Sequence, residues 1–296
     1  MKHQNLLTIA TTVSVLLVAS CSNREHNPEL FTTVPVTVHV DDFTVSQQSL
    51  SATKAAEAPV QYNGINALTL AFYQGSTEIT KITQLKGDAT TYTTFGDFTT
   101  LLPIGAYNLV AIAYTTNENS PFTLTSPTQA SYTGLHAYET FVCSQPLNIT
   151  GTNAINISVE LDRIISQLKV VSTDGKTADV TNVRMTLSAG GRSFNPSTGL
   201  ATSDNGFVNT VGNSAEVGNK SISSTFFFLA SDEQNIDVTI ETLDSQGNTL
   251  FTKTIQDVSF KRNCITTIKG AMYSASTTSS FQLITDWETA GSDITF

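Results

Sequence analysis

The sequence predicts an all-β protein, two β-sandwich domains that follow an export signal. Three observations carry that expectation. Apolar residues alternate with period two in segments spread along the chain, no long amphipathic helical pattern interrupts them, and small neutral residues fill the polar positions. Only 14% of the 296 residues are charged, against about 25% in typical soluble proteins. Thr makes up roughly one residue in six, and with Ser, Asn, Gln and Gly it favours strands and turns over helices. The apolar fraction of 40% is ample for a core. The 15 basic and 25 acidic residues give a net charge of −10, which argues against the cationic surface that nucleic acid requires.

The chain opens on an address. Lys2 and His3 precede an apolar run from Leu6 to Ala19, too short for a spanning helix. It ends Leu17-Val18-Ala19-Ser20-Cys21, small residues before a Cys, which resembles the bacterial lipoprotein signal. Residues 1–20 are expected to be removed, Cys21 to carry the lipid, and 21–30 to form a polar tether on a membrane surface. The other two cysteines, Cys143 and Cys264, read as buried free thiols in preference to a bridge, although export permits a disulfide.

The first sandwich is expected over 31–161. Val34, Val36, Val38 and Val40 alternate with polar residues, so this segment is a half-buried strand, and Pro35 places its start at a sheet edge. A small-residue loop, 46–61, follows. Ala67 to Tyr73, the turn Gln74-Gly75-Ser76 and Thr77 to Ile82 form a hairpin. Phe98 to Leu102 leads through Pro103-Ile104-Gly105 into a strand from Tyr107 to Tyr114. Asn117 to Gly134, with Pro121 and Pro127, reads as loop, and Ile155 to Leu161 alternates again and closes the block.

The second sandwich is expected over 162–296, although no Pro/Gly linker marks the boundary. Ile165 to Ser172 is a strand that turns at Asp174-Gly175 and pairs back with Asn182 to Ser188. Asn195 to Lys220 reads as loop. Phe226, Phe227 and Phe228 in succession require burial on both faces of their strand. Ile236 to Leu243 and Thr249 to Ile255 form a hairpin across Ser245-Gln246-Gly247-Asn248, and Ile265 to Tyr273 and Phe281 to Trp287 complete the set.

No residue pattern points to catalysis, a cofactor or a metal. His26, His39 and His136 are scattered, and no H-E-x-x-H spacing occurs. Gly175-Lys176-Thr177 lacks the upstream Gly of a phosphate loop, and Gly212-Asn213-Ser214-Ala215-Glu216 fails as a nucleophile elbow. Asp41-Asp42 reads as solvated acids where the first strand ends. The aromatic groups Tyr92, Phe95 and Phe98, and Tyr132 and Tyr138, are candidate sugar platforms, with core packing the stronger expectation.

Several segments in order resemble the fimbrillin family, the lipoprotein-derived subunits and anchors of type V pili. They are Leu70-Ala71-Phe72-Tyr73-Gln74-Gly75, then Leu102-Pro103-Ile104-Gly105-Ala106-Tyr107-Asn108-Leu109, then Val159-Glu160-Leu161-Asp162-Arg163-Ile164 and Arg262-Asn263-Cys264-Ile265-Thr266-Thr267. With the signal at Cys21 they span the mature chain. The resemblance implies two transthyretin-like β-sandwiches, a lipid anchor in the cell outer membrane, and pairing with other pilus subunits by donor strands. In the family's shaft subunits an arginine-specific protease removes the first strand, and a neighbour's strand fills the groove. This chain departs from that pattern. Its loop at 46–61 holds Lys54 and no Arg, while Arg24 lies upstream of the first strand and the next Arg is Arg163. An uncut anchor or accessory subunit fits better than a shaft subunit matured at Lys54. A surface glycan-binding lipoprotein is the alternative from another class, and the tail from Phe281 to Phe296 reads equally as a donor strand or a last core strand.

Overall fold

A computed structural model describes residues 32–45, 55–57, 62–88, 90–274 and 282–285. Nineteen strands and no helix occur among them, and they cluster as one compact unit.

The alternating valines begin β1 (Thr33–Val45), which runs antiparallel beside β5 (Asp97–Pro103) and parallel beside β10 (Ile155–Arg163). β1 has a neighbour on each side from Val36 onward, but Thr33–Pro35 pair with β5 alone among the described residues, so the start of the strand lies at an edge as Pro35 predicts. Pro35 sits one residue ahead of the first pair with β10, Val36–Ile155, so the parallel ladder begins where N–H groups are available. Asp41-Asp42, in contrast, does not end the strand. The pair lies at a register shift between Val40 and Asp42, a bulge that lets β1 continue to Val45. Short β2 (Ala55–Glu57) pairs with its last residues.

Opposite this group lies an antiparallel set in the order β9 (Thr140–Ile149), β6 (Gly105–Tyr114), β3 (Ala67–Gln74) and β4 (Thr77–Leu85). The β3–β4 hairpin forms as its sequence predicts, with Gly75 at φ 60° in the turn, where a side chain would be strained. The two groups join where Asp162 and Arg163 of β10 pair with Val142 and Phe141 of β9. Elsewhere they face each other across a core of Val34, Val36, Val38, Phe43, Leu68, Leu70, Phe72, Leu109, Phe141 and Leu161. Sequence alternation did not reveal β9, whose second half is interrupted by Pro146. Among the described residues that half pairs with β6 alone, so the β10-facing side of β9 is open at Pro146.

The second half forms two four-stranded sheets. One has the order β15 (Ile222–Phe227), β11 (Ser166–Ser172), β18 (Ile265–Gly270), β19 (Gln282–Thr285). The other has the order β14 (Phe207–Gly212), β12 (Asn182–Leu187), β16 (Glu233–Leu243), β17 (Thr249–Lys261). Leu168, Val183, Met185, Phe227, Val238, Ile240, Phe260 and Ile268 fill the space between them. β16 and β17 pair as expected. The expected pairing of β11 with β12 does not occur. β11 pairs with β15 and with β18 in parallel, whereas β12 lies in the opposite sheet. Asp174 is no hairpin turn. Its carboxylate accepts the backbone N–H groups of Met272 and Tyr273 at 2.7 and 2.9 Å and fixes the chain leaving β18. Within the expected loop 195–220, β14 is a strand with only Asn209 buried, too weak an alternation to read.

A third core explains the continuous apolar runs of β3 and β6. Their second face, with Ala71, Tyr73, Val110, Ile112 and Tyr114, is covered by a small sheet in the order β13 (Ser193–Phe194), β8 (Gln129–Tyr132), β7 (Phe122–Ser126). β7 and β8 occupy the expected loop 117–134, because Leu124, Ala130 and Tyr132 have a surface to bury against. Phe194 and Phe228 complete this core, their rings 4.5 Å apart, so residues from both halves of the chain share it. The triple Phe divides accordingly: Phe227 enters one core, Phe228 another, and Phe226 is half-buried. Replacing Phe228 by Ala removes a fully buried ring. The expected cost is about 3–5 kcal/mol, read as a lower urea midpoint at unchanged slope, and a loss below about 1 kcal/mol would contradict it.

Candidate functional site

The features that bear on pairing with another strand are the strand that closes the first core and the edges beside it. Val34, Val36 and Val38 are 0% exposed. Backbone pairs run from Thr33–Pro103 to His39–Asp97 on one side of β1 and from Val36–Ile155 to Thr44–Asp162 on the other. β1 is thus a plug. Taking it out would leave two unpaired ladders and an apolar slot. At its N-terminal half the imidazole of His39 meets Asp97 Oδ1 at 2.8 Å.

The far end of β1 is held by a buried polar cluster inside an aromatic box. Arg163 at the end of β10 has a side chain 2% exposed and forms an ion pair with Glu139 at 2.6 Å. Its Nη2 donates to Tyr62 Oη at 2.9 Å, and its guanidinium stands 5.0 Å from the Phe141 ring centroid. Phe43 of β1 packs against both Tyr62 and Phe141, with centroids 5.5 and 4.7 Å apart. Burial pushes the Glu139 carboxyl above its ordinary value, outweighing the pull of Arg163, and burial likewise raises the Tyr62 hydroxyl. No sequence motif links positions 62, 139 and 163, and sequence reasoning missed the cluster.

Cys21, Arg24 and Lys54, with the signal 1–20 and the tether 21–30, lie outside the described residues, as do most of the loop 46–61 and most of the tail. Within the tail, Gln282–Thr285 pairs antiparallel with the chain's own β18. Cys143 and Cys264 are free thiols, half-buried and not fully so, and burial raises the Cys143 thiol. Lys176 does not face an anion site, because its Nζ donates to the carbonyls of Asn213 and Ala215 at 2.8 Å each. Of the aromatic candidates, Phe95, Phe98 and Tyr132 are core residues, while Tyr92 and Tyr138 are half-buried.

Each of the four described arginines is engaged. Besides Arg163, Arg184 forms a two-pronged contact with Glu241 at 2.6 and 2.8 Å. Arg192 donates to the carbonyls of Gly134 and Leu135, and Arg262 pairs with Asp232 at 2.9 Å.

A family described as a family of unknown function, DUF6562, matches residues 31–291. The chain belongs to DUF6562. No curated protein matches its sequence. Among solved structures, the DUF6562 chain is similar to a candidate cell adhesion protein of Bacteroides ovatus ATCC 8483. The TM-score is 0.51 at 11% identity, covering 87% of this chain and 99% of that one. It is also similar to the fimbrial anchor protein Mfa2 of Porphyromonas gingivalis, with TM-score 0.50 and 8% identity over 85% and 95% of the two chains. A candidate adhesin of Bacteroides ovatus ATCC 8483 gives TM-score 0.50 and 12% identity over 81% and 88%. At these identities the likeness is one of fold.

The cluster at Glu139 generates a pH prediction. A carboxyl raised in the folded state takes up its proton at higher pH than in the unfolded chain. Its contribution to stability is therefore full below the unfolded value of 4.5 and is lost as pH rises through the folded value. Glu139→Gln removes that titration. The stability of the parent minus that of the variant should fall as pH rises from 4.5 toward neutrality, measured by urea unfolding across a pH series. A flat or rising difference would refute the assignment.

Proposed function

We propose that this DUF6562 protein is a non-enzymatic fimbrial subunit that keeps its own first strand. It is exported as a lipoprotein, held in the outer membrane by lipid on Cys21, and serves as the anchor or an accessory component of a pilus that supports cell adhesion. The observation that carries this reading is the plug. β1 fills its slot with fully buried valines, and no Arg lies between Arg24 and Arg163 at which an arginine-specific protease could release it. Arg163 itself is buried in its ion pair. A subunit with a filled slot cannot receive a neighbour's strand there, which suits the end of a polymer better than its shaft.

Two sandwiches over 31–161 and 162–296 accord with this reading. Each opens with a strand that pairs in parallel with a late strand of the same block, β1 with β10 and β11 with β18, and the ladder breaks at Ile164–Ile165. Among the described residues β5 pairs with β1 alone, and its Leu101 is 62% exposed, with Ile104 just beyond it at 47%. An unpaired ladder with apolar side chains is suited to a strand from another pilus subunit.

Mass spectrometry of the mature protein from outer-membrane fractions tests the assignment. The expected N-terminus is acylated Cys21, and Cys21→Ala should release the protein from the membrane fraction. A mature N-terminus just after Lys54 would instead indicate a shaft subunit. Absence of the protein from purified pili would remove the fimbrial reading altogether.

A further inference from the structure

The open ladder of β5 has a definite set of free backbone groups. In a regular antiparallel ladder alternate residues turn both backbone groups toward the neighbour, and the residues between turn theirs away. Val40 N–H donates to Gly96 C=O at 3.0 Å, and the β1–β5 register runs without a shift from Asp97 to Pro103. Phe98, Thr100 and Leu102 therefore bond β1, while Asp97, Thr99, Leu101 and Pro103 face outward. The two ends of this outward row are satisfied within the chain. Asp97 N–H donates to Thr94 C=O at 3.1 Å, and Asp97 C=O accepts from Gln84 Nε2 at 2.6 Å. Pro103 has no N–H, and its C=O accepts from Tyr107 Oη at 2.7 Å. That leaves Thr99 and Leu101. Both are exposed, and the N–H and C=O of each meet no partner among the described residues. A cavity of about 330 Å³, lined by Ile82 and Gln84 of β4 and by Phe98 and Thr99 of β5, keeps this side open.

These free groups are complementary to themselves. When two copies of β5 run antiparallel about a two-fold axis at Thr100, Thr99 of each lies opposite Leu101 of the other. Each such pair exchanges two N–H···O=C bonds, and every free group on both copies is satisfied. A register two residues away sets Thr99 or Leu101 against Pro103 or Asp97, whose groups are already taken, and halves the bonds. The side chains agree with the backbone. Thr99 and Leu101 stand on the outer face, Leu101 62% exposed, and the pairing sets the two leucines on a diagonal about 7–8 Å apart. Asp97 is the one charge on the strand, and it falls opposite Pro103. The two Asp97 residues are then about 20 Å apart along the strands, beyond the Debye length of about 10 Å. The edges at β4 and β17 differ. β4 carries the Glu78–Lys81 pair and β17 carries Lys253, Asp257 and Lys261, charges that discourage edge pairing. We propose that β5 is a self-association edge, through which two copies of this chain form a two-fold dimer with one sheet continued into the other. A seam of this length buries less than the ~1,200–2,000 Å² of stable interfaces, so the dimer is weak. The pairing names the occupant of the open ladder and does not depend on the fimbrial reading.

Sedimentation velocity of the full chain from residue 21 onward, carrying Cys21→Ala, tests it between about 10 µM and about 1 mM. A dissociation constant near ~0.1 mM is expected, so the protein passes from monomer to dimer across that range. Hydrogen exchange read by nitrogen–proton correlation spectra should show protection rising with concentration at the amides of Thr99 and Leu101 and not at Asp97. Leu101→Lys, at an exposed site, should weaken the dimer at least tenfold. Thr99→Pro removes an outward N–H and no bond to β1, and it should do the same. Ile79→Lys on the β4 edge should leave association unchanged. A monomer throughout the range, or undiminished association of Leu101→Lys, would overturn the proposal. So would protection of Thr99 and Leu101 that is already complete at the lowest concentration, since the same chain would then cover the edge. None of these results bears on the mature N-terminus, which tests the fimbrial reading separately.

Discussion

The pairing of β1 with β10 is the constraint on which the first half of the molecule depends. The two strands lie at opposite ends of their block, and they run in the same direction. A parallel pair cannot be closed by a tight turn, so the antiparallel strands β3, β4, β6 and β9 occupy the intervening chain and supply the other wall of the core. The valines of β1 then find Leu68, Leu70, Leu109 and Phe141 across from them. Closure entropy is spent before any of these contacts forms, which places the first half among slow-folding, high-contact-order topologies.

A second dependence follows from burying β3 and β6 on both faces. Once Ala71, Tyr73, Val110 and Ile112 are apolar, something must cover them, and the cover comes from β7, β8, β13 and Phe228. Phe228 follows directly on β15, whose Phe227 belongs to the core of the second half. The backbone therefore carries one ring into each core from adjacent positions, and packing in the two regions is coupled through a single peptide unit.

Local features were legible in the sequence. The β3–β4 and β16–β17 hairpins show themselves because turn residues and alternation lie within a few positions of one another. Features that depend on distant partners were not. β11 and β12 look like a hairpin, because the Asp174-Gly175 signal is real, yet Asp174 spends its carboxylate on Met272 and Tyr273. β7 and β8 are too short to show a period. The Arg163–Glu139–Tyr62 cluster left no trace, since three isolated polar residues carry no spacing that distinguishes them from surface.

The direction of β1 also has a mechanical consequence. Tension applied at residue 32 and resisted beyond residue 163 acts along the β1–β10 ladder, because the strands are parallel and are held at opposite ends. The rungs then share the load and must rupture together, whereas in a hairpin pulled at its open end they break in succession. The bulge at Asp41-Asp42 interrupts the ladder before its last rungs, and beyond it the ring of Phe43 is wedged between Tyr62 and Phe141. Sliding β1 lengthwise would require dragging that ring out of its box. The first strand is thus seated to withstand shear: force along its length meets the whole ladder at once and the lodged ring of Phe43 behind it.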